Sequence, residues 1–205
     1  MNAAMRRVKR TILWLSRIRY CRGFGIQSPN DYRFVRYVVN EHYPYYAYTD
    51  LARSVAGIDA DERRLCMLYL RMANAVQPRY YIDVMPTGDS SIRYVRAGCR
   101  HTEVVVCTNM NHLDELKAYL REPSLVRFSY QADMSPVGEV FDDWVNGASS
   151  STVIVMEGIY ESKSRNKIWR RMAAHQRVGV SYDLYYCGVL LLENRQYQRH
   201  YKVNF

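Results

Sequence analysis

The sequence predicts an α/β fold in three layers: a mostly parallel sheet covered by helices, with further helices at the N-terminus and antiparallel strands at the C-terminus. Short runs rich in β-branched residues alternate with helical stretches between residues 80 and 175, which is typical of a parallel sheet with both faces covered. The first run leads directly into a short turn and a helix, where such folds place a ligand-binding loop. Residues 178–205 instead hold three β-rich runs, which indicate antiparallel strands at the edge of the sheet.

Four strand–helix pairs make up the alternating part of the chain. The predicted strands are 80–84, 103–107, 125–130 and 152–156, and the helices after them are 90–97, 111–121, 137–145 and 162–175. This order predicts a Rossmann-like three-layer sandwich over residues 79–205. Residues 1–78 are predicted to form a helical N-terminal extension.

Two helices of the extension are marked by start or stop signals. Ser28 and Pro29 mark the start of a helix that is predicted to run from about residue 31 to residue 41, because serine caps a helix and proline suits its first turn. A second helix over 61–76 ends at Pro78. Residues 43–48 are predicted to be an aromatic connector between them.

The first 22 residues predict a basic amphipathic helix over 3–22, which ends at Gly23 and Gly25. Its apolar stripe consists of Val8, Ile12, Leu15 and Ile18, with Trp14 beside it, and its basic residues are Arg6, Arg7, Lys9, Arg10, Arg17, Arg19 and Arg22. We expect the stripe to pack on the sheet domain or on a second copy of the chain. The alternative is a membrane surface or another anionic partner bound through residues 1–22.

Composition narrows the class of protein. The chain has 205 residues and a hydrophobic fraction of 48%, which favours a folded domain over disorder. No apolar run reaches the roughly 18 residues of a transmembrane helix. The five cysteines are scattered without C-x-x-C spacing and the five histidines form no i, i+4 pair, so we predict a cytoplasmic protein without a metal site.

The chain is basic, with a net charge of +9. Of its 29 basic residues 24 are arginine, and it has 19 tyrosines. Arginine and tyrosine together suit phosphate binding and base stacking. Because the charge is spread along the chain and forms no single patch, nucleic-acid binding is the less favoured interpretation, and an RNA-associated protein is kept as an alternative.

Strings at both ends of the chain resemble a known family. The chain resembles class I S-adenosylmethionine-dependent methyltransferase-like proteins, specifically an O-methyltransferase-like group of Bacteroidetes. The strings that carry the resemblance are GFGIQSP at 23–29, YYAY at 45–48, VQP at 76–78, YDLYYCGV at 182–189 and residues 198–205. The resemblance implies a Rossmann-like fold and an S-adenosylmethionine site at the carboxyl end of the sheet.

The first cofactor motif implied by the resemblance is altered. Asp83 matches the acidic residue at the end of the first strand. In the glycine-rich turn, Met85 and Asp89 stand where the family has its first and last glycines, and Thr87 stands at the central small position. Gly88 is out of register. A methionine there intrudes where backbone should approach the ligand, and positive φ costs it roughly 1 kcal/mol or more.

The second and third motifs are weaker as well. Thr108 stands where the family has the acid that grips the ribose hydroxyls, and one hydroxyl cannot replace a bidentate carboxylate. Glu157 is the one survivor of a carboxylate pair that binds a metal in some members. The family's fourth strand is predicted to be shortened or absent, because only residues 133–151 separate the predicted strands 125–130 and 152–156.

Three functions are consistent with these observations. We predict a divergent methyltransferase-like protein, a pseudoenzyme, in which S-adenosylmethionine binding is weak or lost, with Asp83, Thr87, Gly88, Thr108 and Glu157 as the remnant cofactor site. The alternatives are an active O-methyltransferase of a small hydroxylated substrate and an Arg/Tyr-rich interaction protein. An acid–base cluster of Glu157 with Tyr160, Glu161 and His175 is a weaker hypothesis than solvated surface charges.

Overall fold

The computed structural model describes residues 8, 11–12, 14–23, 25–41, 43–55, 57–193 and 197–205. Much of the predicted helix 3–22 lies outside the described residues. Residues 8, 11–12 and 14–16 are helical, and a 3-10 helix follows over Ile18–Gly23. Positive φ at Gly23 and Gly25, 75° and 85°, ends this segment as predicted.

Seven helices and seven strands follow in the described part of the chain. The helices are α1 (Pro29–Phe34), α2 (Ala47–Ser54), α3 (Ala60–Val76), α4 (Ser90–Gly98), α5 (Lys117–Leu120), α6 (Met134–Gly147) and α7 (Lys163–Ala173). A π-helical stretch, Val35–Val39, extends α1, and a 3-10 helix, Met110–Leu116, precedes α5. The strands are β1 (Tyr80–Val84), β2 (Glu103–Cys107), β3 (Ser124–Phe128), β4 (Val153–Glu157), β5 (Val178–Asp183), β6 (Cys187–Leu192) and β7 (Arg199–Lys202).

The strands form one sheet in the order β2-β1-β3-β4-β6-β5-β7. β1 to β4 are parallel, and β6 runs antiparallel between β4 and β5. This confirms the predicted fold class. The C-terminal strands were expected to be antiparallel, and β6 is antiparallel to both β4 and β5. The edge strand β7 pairs with β5 in parallel, because β5 lies between β6 and β7 in the sheet.

The strand that was expected to be missing is present. In the usual Rossmann order 3-2-1-4-5-6, the fourth strand lies next to the first, and β3 takes that place beside β1. The chain goes from β2 to β3 through residues 108–123, across β1, so no strand lies outside β2 within the described chain. β2 is therefore an edge strand, and Glu103 and Val106 are exposed.

Each face of the sheet has its own hydrophobic core. On one face α1, α3 and α4 pack on the side chains of Tyr81, Leu125 and Val155. On the other face α5, α6 and α7 pack on Ile82 and Val126, among others. The helices of residues 29–76 thus lie on the sheet, and the division of the chain at residues 78 and 79 stays a prediction.

Two N-terminal elements differ from their predictions. The predicted connector 43–48 is interrupted at Ala47, where α2 begins. The tyrosines before it mask the helical pattern, because α2 buries only Leu51. The predicted helix 31–41 begins earlier, at Pro29, with the Ser28 side chain accepting a hydrogen bond from the Asp31 amide.

The apolar stripe of the N-terminal segment is not buried against the described chain. Val8, Ile12, Leu15 and Ile18 are each more than half exposed. The segment is attached through Arg17, which pairs with Asp183 at 2.8 Å, and through hydrogen bonds from Asn204 to Trp14 and Tyr20. The expectation that the stripe packs on the sheet domain is therefore wrong. None of the described helices combines the length and apolarity needed to cross a bilayer.

We predict that Gly98→Ala lowers the free energy of unfolding by about 2 kcal/mol, because a methyl group there would lie 2.2 Å from the Leu70 carbonyl oxygen between α3 and α4. Gly147→Ala is the matched control, since nothing lies within 4 Å of a Cβ at the end of α6. Urea unfolding of both variants measures the difference. Equal stability of the two variants would contradict the tight α3–α4 contact.

Candidate functional site

A buried guanidinium lies between two carboxylates at the carboxyl end of the sheet. Arg127 Nη1 is 2.8 Å from Asp83 Oδ1, and Arg127 Nε is 2.8 Å from Glu157 Oε1. Asp83 is fully buried and the other two residues are at most 5% exposed. These residues, which we call the Arg127 triad, join the ends of β1, β3 and β4.

The sheet register explains why the triad forms. Asp83 and Arg127 are Cα partners on β1 and β3, and Glu157 ends β4 on the same face. α3 and α4 cover that face and supply two hydroxyl donors. Tyr69 donates to Glu157 Oε1 at 2.5 Å, and Ser91 donates to Asp83 Oδ2 at 2.5 Å. Each carboxylate thus accepts a hydrogen bond from a hydroxyl as well as from Arg127.

The charges of the triad are mutually dependent. Burial alone would lower the pKa of the Arg127 guanidinium. Tyr69, Glu157, Tyr81 and Asp83 together raise this pKa above its usual value. Burial and Glu157 raise the pKa of the Tyr69 phenol well above 10. The phenol therefore stays protonated and donates a hydrogen bond to Glu157. The site therefore holds one fixed cation between two fixed anions in the interior.

The crevice between β1 and β3 is closed by hydrogen bonds. α/β folds bind ligands where neighbouring strands connect in opposite directions, and here that point lies between β1 and β3. The Ser129 amide donates to the Val84 carbonyl at 3.2 Å, and its hydroxyl donates to the Met85 carbonyl. The two strand ends are thus joined where a ligand would enter.

Met85 adopts the backbone conformation of the glycine that it replaces. Its φ is 56°, a left-handed conformation that costs a non-glycine residue roughly 1–2 kcal/mol. Gly88 has no positive φ. Thr87, Gly88 and Asp89 are exposed, and the Asp89 carboxylate pairs with Arg93 at 2.7 Å. The turn has kept its bend, and the half-buried side chain of Met85 packs on the hydrophobic core under α5 and α6.

A second arginine ties the loops that follow β3 and β4. Arg165 in α7 donates to the carbonyls of Ser129, Ala132 and Glu157, each at 2.7 or 2.8 Å. Burial lowers the pKa of Arg165, and its side chain is only 9% exposed. Arg165 therefore joins these loops from inside the protein, unlike the exposed Arg170 and Arg171 of the same helix.

Thr108 lies apart from the triad. It is exposed beyond the end of β2 and lines a cavity of about 440 Å³ together with Asn109, His112 and Glu115. No residue of the Arg127 triad lines this cavity. The structure therefore brings together Asp83 and Glu157 but not Thr108, Thr87 or Gly88.

The proposed acid–base cluster around Glu157 does not form. Tyr160 donates to Asp183 at 2.6 Å, and His175 packs its ring against Phe141 at the far end of α7. Glu157 is occupied by the triad. Among the described residues, no three side chains of His, Cys, Asp or Glu gather as a metal site requires.

Comparison with known proteins gives matches in structure alone. No protein-family model and no curated protein matches the sequence. Cofactor-bound Rv0187 from MTB is similar at 15% identity, with a TM-score of 0.47, 82% of this chain and 100% of that chain covered. The S-adenosylhomocysteine-bound Podospora anserina methyltransferase PaMTH1 is similar at 11% identity, with a TM-score of 0.49 and coverage of 82% and 97%.

A putative methyltransferase from Thermobifida fusca is similar at 9% identity, with a TM-score of 0.39 and coverage of 82% and 75%. The strand order, with β6 antiparallel to its neighbours, gives a Rossmann-like fold. At the carboxyl end of the sheet, Arg127 pairs with Asp83, and Thr108 and Asn109 directly follow β2.

We predict that Arg127→Met lowers the free energy of unfolding by about 3–5 kcal/mol, because it leaves two buried carboxylates without a cation. The triple variant Asp83→Asn/Arg127→Met/Glu157→Gln should recover more than half of this loss, since it removes the uncompensated charges. Chemical denaturation measures both. Arg79→Met is the control, because its ion pair with Glu103 is half-exposed and screened by solvent, so its loss should change stability far less.

The comparison of the single and triple variants tests the assignment of charge. A triple variant as unstable as Arg127→Met would show that the lost packing of the arginine, and not the stranded carboxylates, causes the destabilisation.

Proposed function

We propose that this protein is a divergent member of the methyltransferase-like group in Bacteroidetes that has lost the S-adenosylmethionine site and acts as an interaction protein. The single observation that carries the proposal is the Arg127 triad. Asp83, the acid that the resemblance assigns to the cofactor, makes its ion pair inside the protein. The active O-methyltransferase has no comparable observation in its favour.

Electrostatics explains why the triad opposes the cofactor. S-adenosylmethionine carries a sulfonium and an ammonium group, and both need acceptors or anions at the site. Asp83 and Glu157 already share one guanidinium, and each accepts a hydrogen bond from a hydroxyl, that of Ser91 and that of Tyr69 respectively. A cationic group of the cofactor would therefore have to compete with Arg127 for the same two carboxylates.

Sterics act in the same direction. Ser129 holds the ends of β1 and β3 together at Val84 and Met85, and a side chain stands at Met85 where the resemblance places a glycine. Replacing Met85 with glycine would clear the turn, but it would leave Arg127 in place. Two independent features therefore support the loss of binding.

We predict that isothermal titration calorimetry with S-adenosylmethionine and with S-adenosylhomocysteine gives Kd values weaker than about 100 μM, less than roughly 5.5 kcal/mol of binding free energy. Circular dichroism of the same sample confirms that the protein is folded. Low-micromolar binding of either compound would refute the proposal and favour the active enzyme.

The N-terminal segment supplies the contact surface of the proposed interaction protein. Its stripe of Val8, Ile12, Leu15 and Ile18 is exposed, and Trp14 beside it is half-exposed. The first 30 residues contain no acidic residue. Exposed aliphatic and tryptophan side chains among arginines suit an anionic lipid surface, where the rings and chains insert and the cations meet phosphate groups.

The same charges disfavour pairing of two N-terminal segments. In a dimer through this stripe, two segments with seven basic residues each and no acid would face one another, which is repulsive. Nucleic acid offers phosphates but no apolar layer for the stripe. An anionic membrane surface is therefore the partner that we propose.

We predict that the full chain co-sediments with vesicles containing phosphatidylserine and not with neutral phosphatidylcholine vesicles. Ile12→Gln/Leu15→Gln should weaken binding at least about tenfold, because each buried aliphatic side chain contributes roughly 1.5–3 kcal/mol. Tyr197→Gln is the control, since Tyr197 is exposed but lies outside the segment.

Light scattering of the same proteins separates the alternatives. A concentration-dependent dimer in the unaltered chain that Ile12→Gln/Leu15→Gln dissociates, without vesicle binding, would show that a second copy covers the stripe and would refute the membrane assignment.

A further inference from the structure

A cavity of about 380 Å³ lies between α7 and strands β5 and β7, at one edge of the sheet. α7 contributes Arg170 and Trp169, the strands contribute Ser181, His200 and Lys202, and the loop after β4 contributes Tyr160. No residue of the Arg127 triad lines it. The cavity is thus separate from the remnant cofactor site, and neither the cofactor test nor the vesicle test bears on it.

The cations that line this cavity lack protein counter-ions. Within the described residues, neither Arg170 nor Lys202 has a carboxylate within ion-pair distance. Arg171, the next residue of α7, does pair with Asp142 at 3.1 Å. Within the described residues, both cations of the lining are therefore available to an anionic ligand, whereas Arg171 beside them is paired.

The one carboxylate in the lining is already neutralised. Asp183 forms an ion pair with Arg17 at 2.8 Å, accepts the Tyr160 hydroxyl at 2.6 Å and accepts the Tyr185 amide at 3.0 Å. Burial followed by Asp183 raises the pKa of Tyr160 to about 12, so the phenol remains a donor. The net charge that the cavity presents is therefore positive.

Polar groups on the floor of the cavity add hydrogen-bonding capacity. Ser181 and His200 are Cα partners on β5 and β7, and Ser181 Oγ lies 2.7 Å from His200 Nδ1. Among the described residues, no group forms a hydrogen bond with Nε2 of His200. A ligand with several oxygens can thus meet Arg170, Lys202 and His200 from different directions, which suits a phosphate better than a planar carboxylate.

A second depression provides room for the rest of a ligand. Its volume is about 430 Å³, and it shares Tyr160 and Lys202 with the first cavity and adds Arg19. Tyr160 stacks on Tyr185 with ring centroids 5.2 Å apart, so the passage between the two depressions has an aromatic wall. Lys202 lies where both depressions meet.

We propose that the cavity between α7 and β5–β7 binds a small phosphate-bearing molecule, with Arg170 and Lys202 as the phosphate ligands and the Tyr160–Tyr185 stack beside its organic part. The Ser181–His200 pair supplies the remaining polar contact. Unpaired cations, hydrogen-bond donors and room for a ligand thus occur together in this cavity. The side chains that supply them come from different elements of the fold.

Tryptophan indole resonances in proton–nitrogen correlation spectra test the proposal with inorganic pyrophosphate as the probe. Trp169 lines the cavity, whereas Trp144 is buried in the core of the same face and Trp14 is on the N-terminal segment. At constant ionic strength, we expect a saturable shift of the Trp169 signal without a saturable shift of the other two. Sodium chloride at matched ionic strength controls for screening.

Arg170→Gln/Lys202→Gln should weaken the apparent affinity at least tenfold, while Arg171→Gln should leave it unchanged. All these side chains are exposed, so the variants should fold, and the dispersed indole signals report this directly. No saturable Trp169 shift, the same shift with chloride, or the same affinity in the double variant would each overturn the proposal.

Discussion

The pairing of one buried guanidinium with two buried carboxylates is the constraint on which this structure depends. An isolated charge inside a protein is too costly to keep, so each of Asp83, Arg127 and Glu157 requires the others. They come from three strands, and together they set the spacing of β1, β3 and β4 at their carboxyl ends. Such a network need not exceed an apolar core in stability, but it leaves little freedom in the register of the strands.

This constraint also explains how the carboxyl end of the sheet differs from a cofactor site. In a binding crevice the strand ends diverge and present free polar groups to a ligand. Here the polar groups face inward, and Ser129 and Arg165 tie the loops together over them. The acids that the resemblance connects with a ligand bind an internal cation in this structure.

The sequence predicts most of the elements because each has a strong local signal. The strands 80–84 and 103–107 were predicted with the bounds that the structure shows, since β-branched and aromatic runs between turn residues are specific. The sheet order was harder to predict. That β3 lies beside β1, and not beyond β2, depends on the path of the chain across the sheet, which local periodicity does not encode.

One residue in the sequence signals the Arg127 triad, although we did not predict the triad from it. Arg127 interrupts the apolar strand Leu125–Phe128, and a charge inside a buried strand requires a partner. Its partners lie 44 and 30 residues away along the chain, so only the strand register shows which carboxylates they are. The exposure of the N-terminal stripe could likewise not be predicted from the sequence. Amphipathic periodicity predicts that a helix face is covered, but it does not identify what covers it.

The internal cation affects how the folded population depends on the cofactor concentration in the cell. A protein that binds a cofactor gains stability as RT ln(1 + [L]/Kd), so its folded population rises and falls with cofactor concentration. In this chain the positive charge at the centre of the site is a side chain, attached at a fixed effective concentration. Under the proposed loss of S-adenosylmethionine binding, the folded population does not depend on the supply of the methyl donor, and the scaffold stays assembled when that metabolite is depleted.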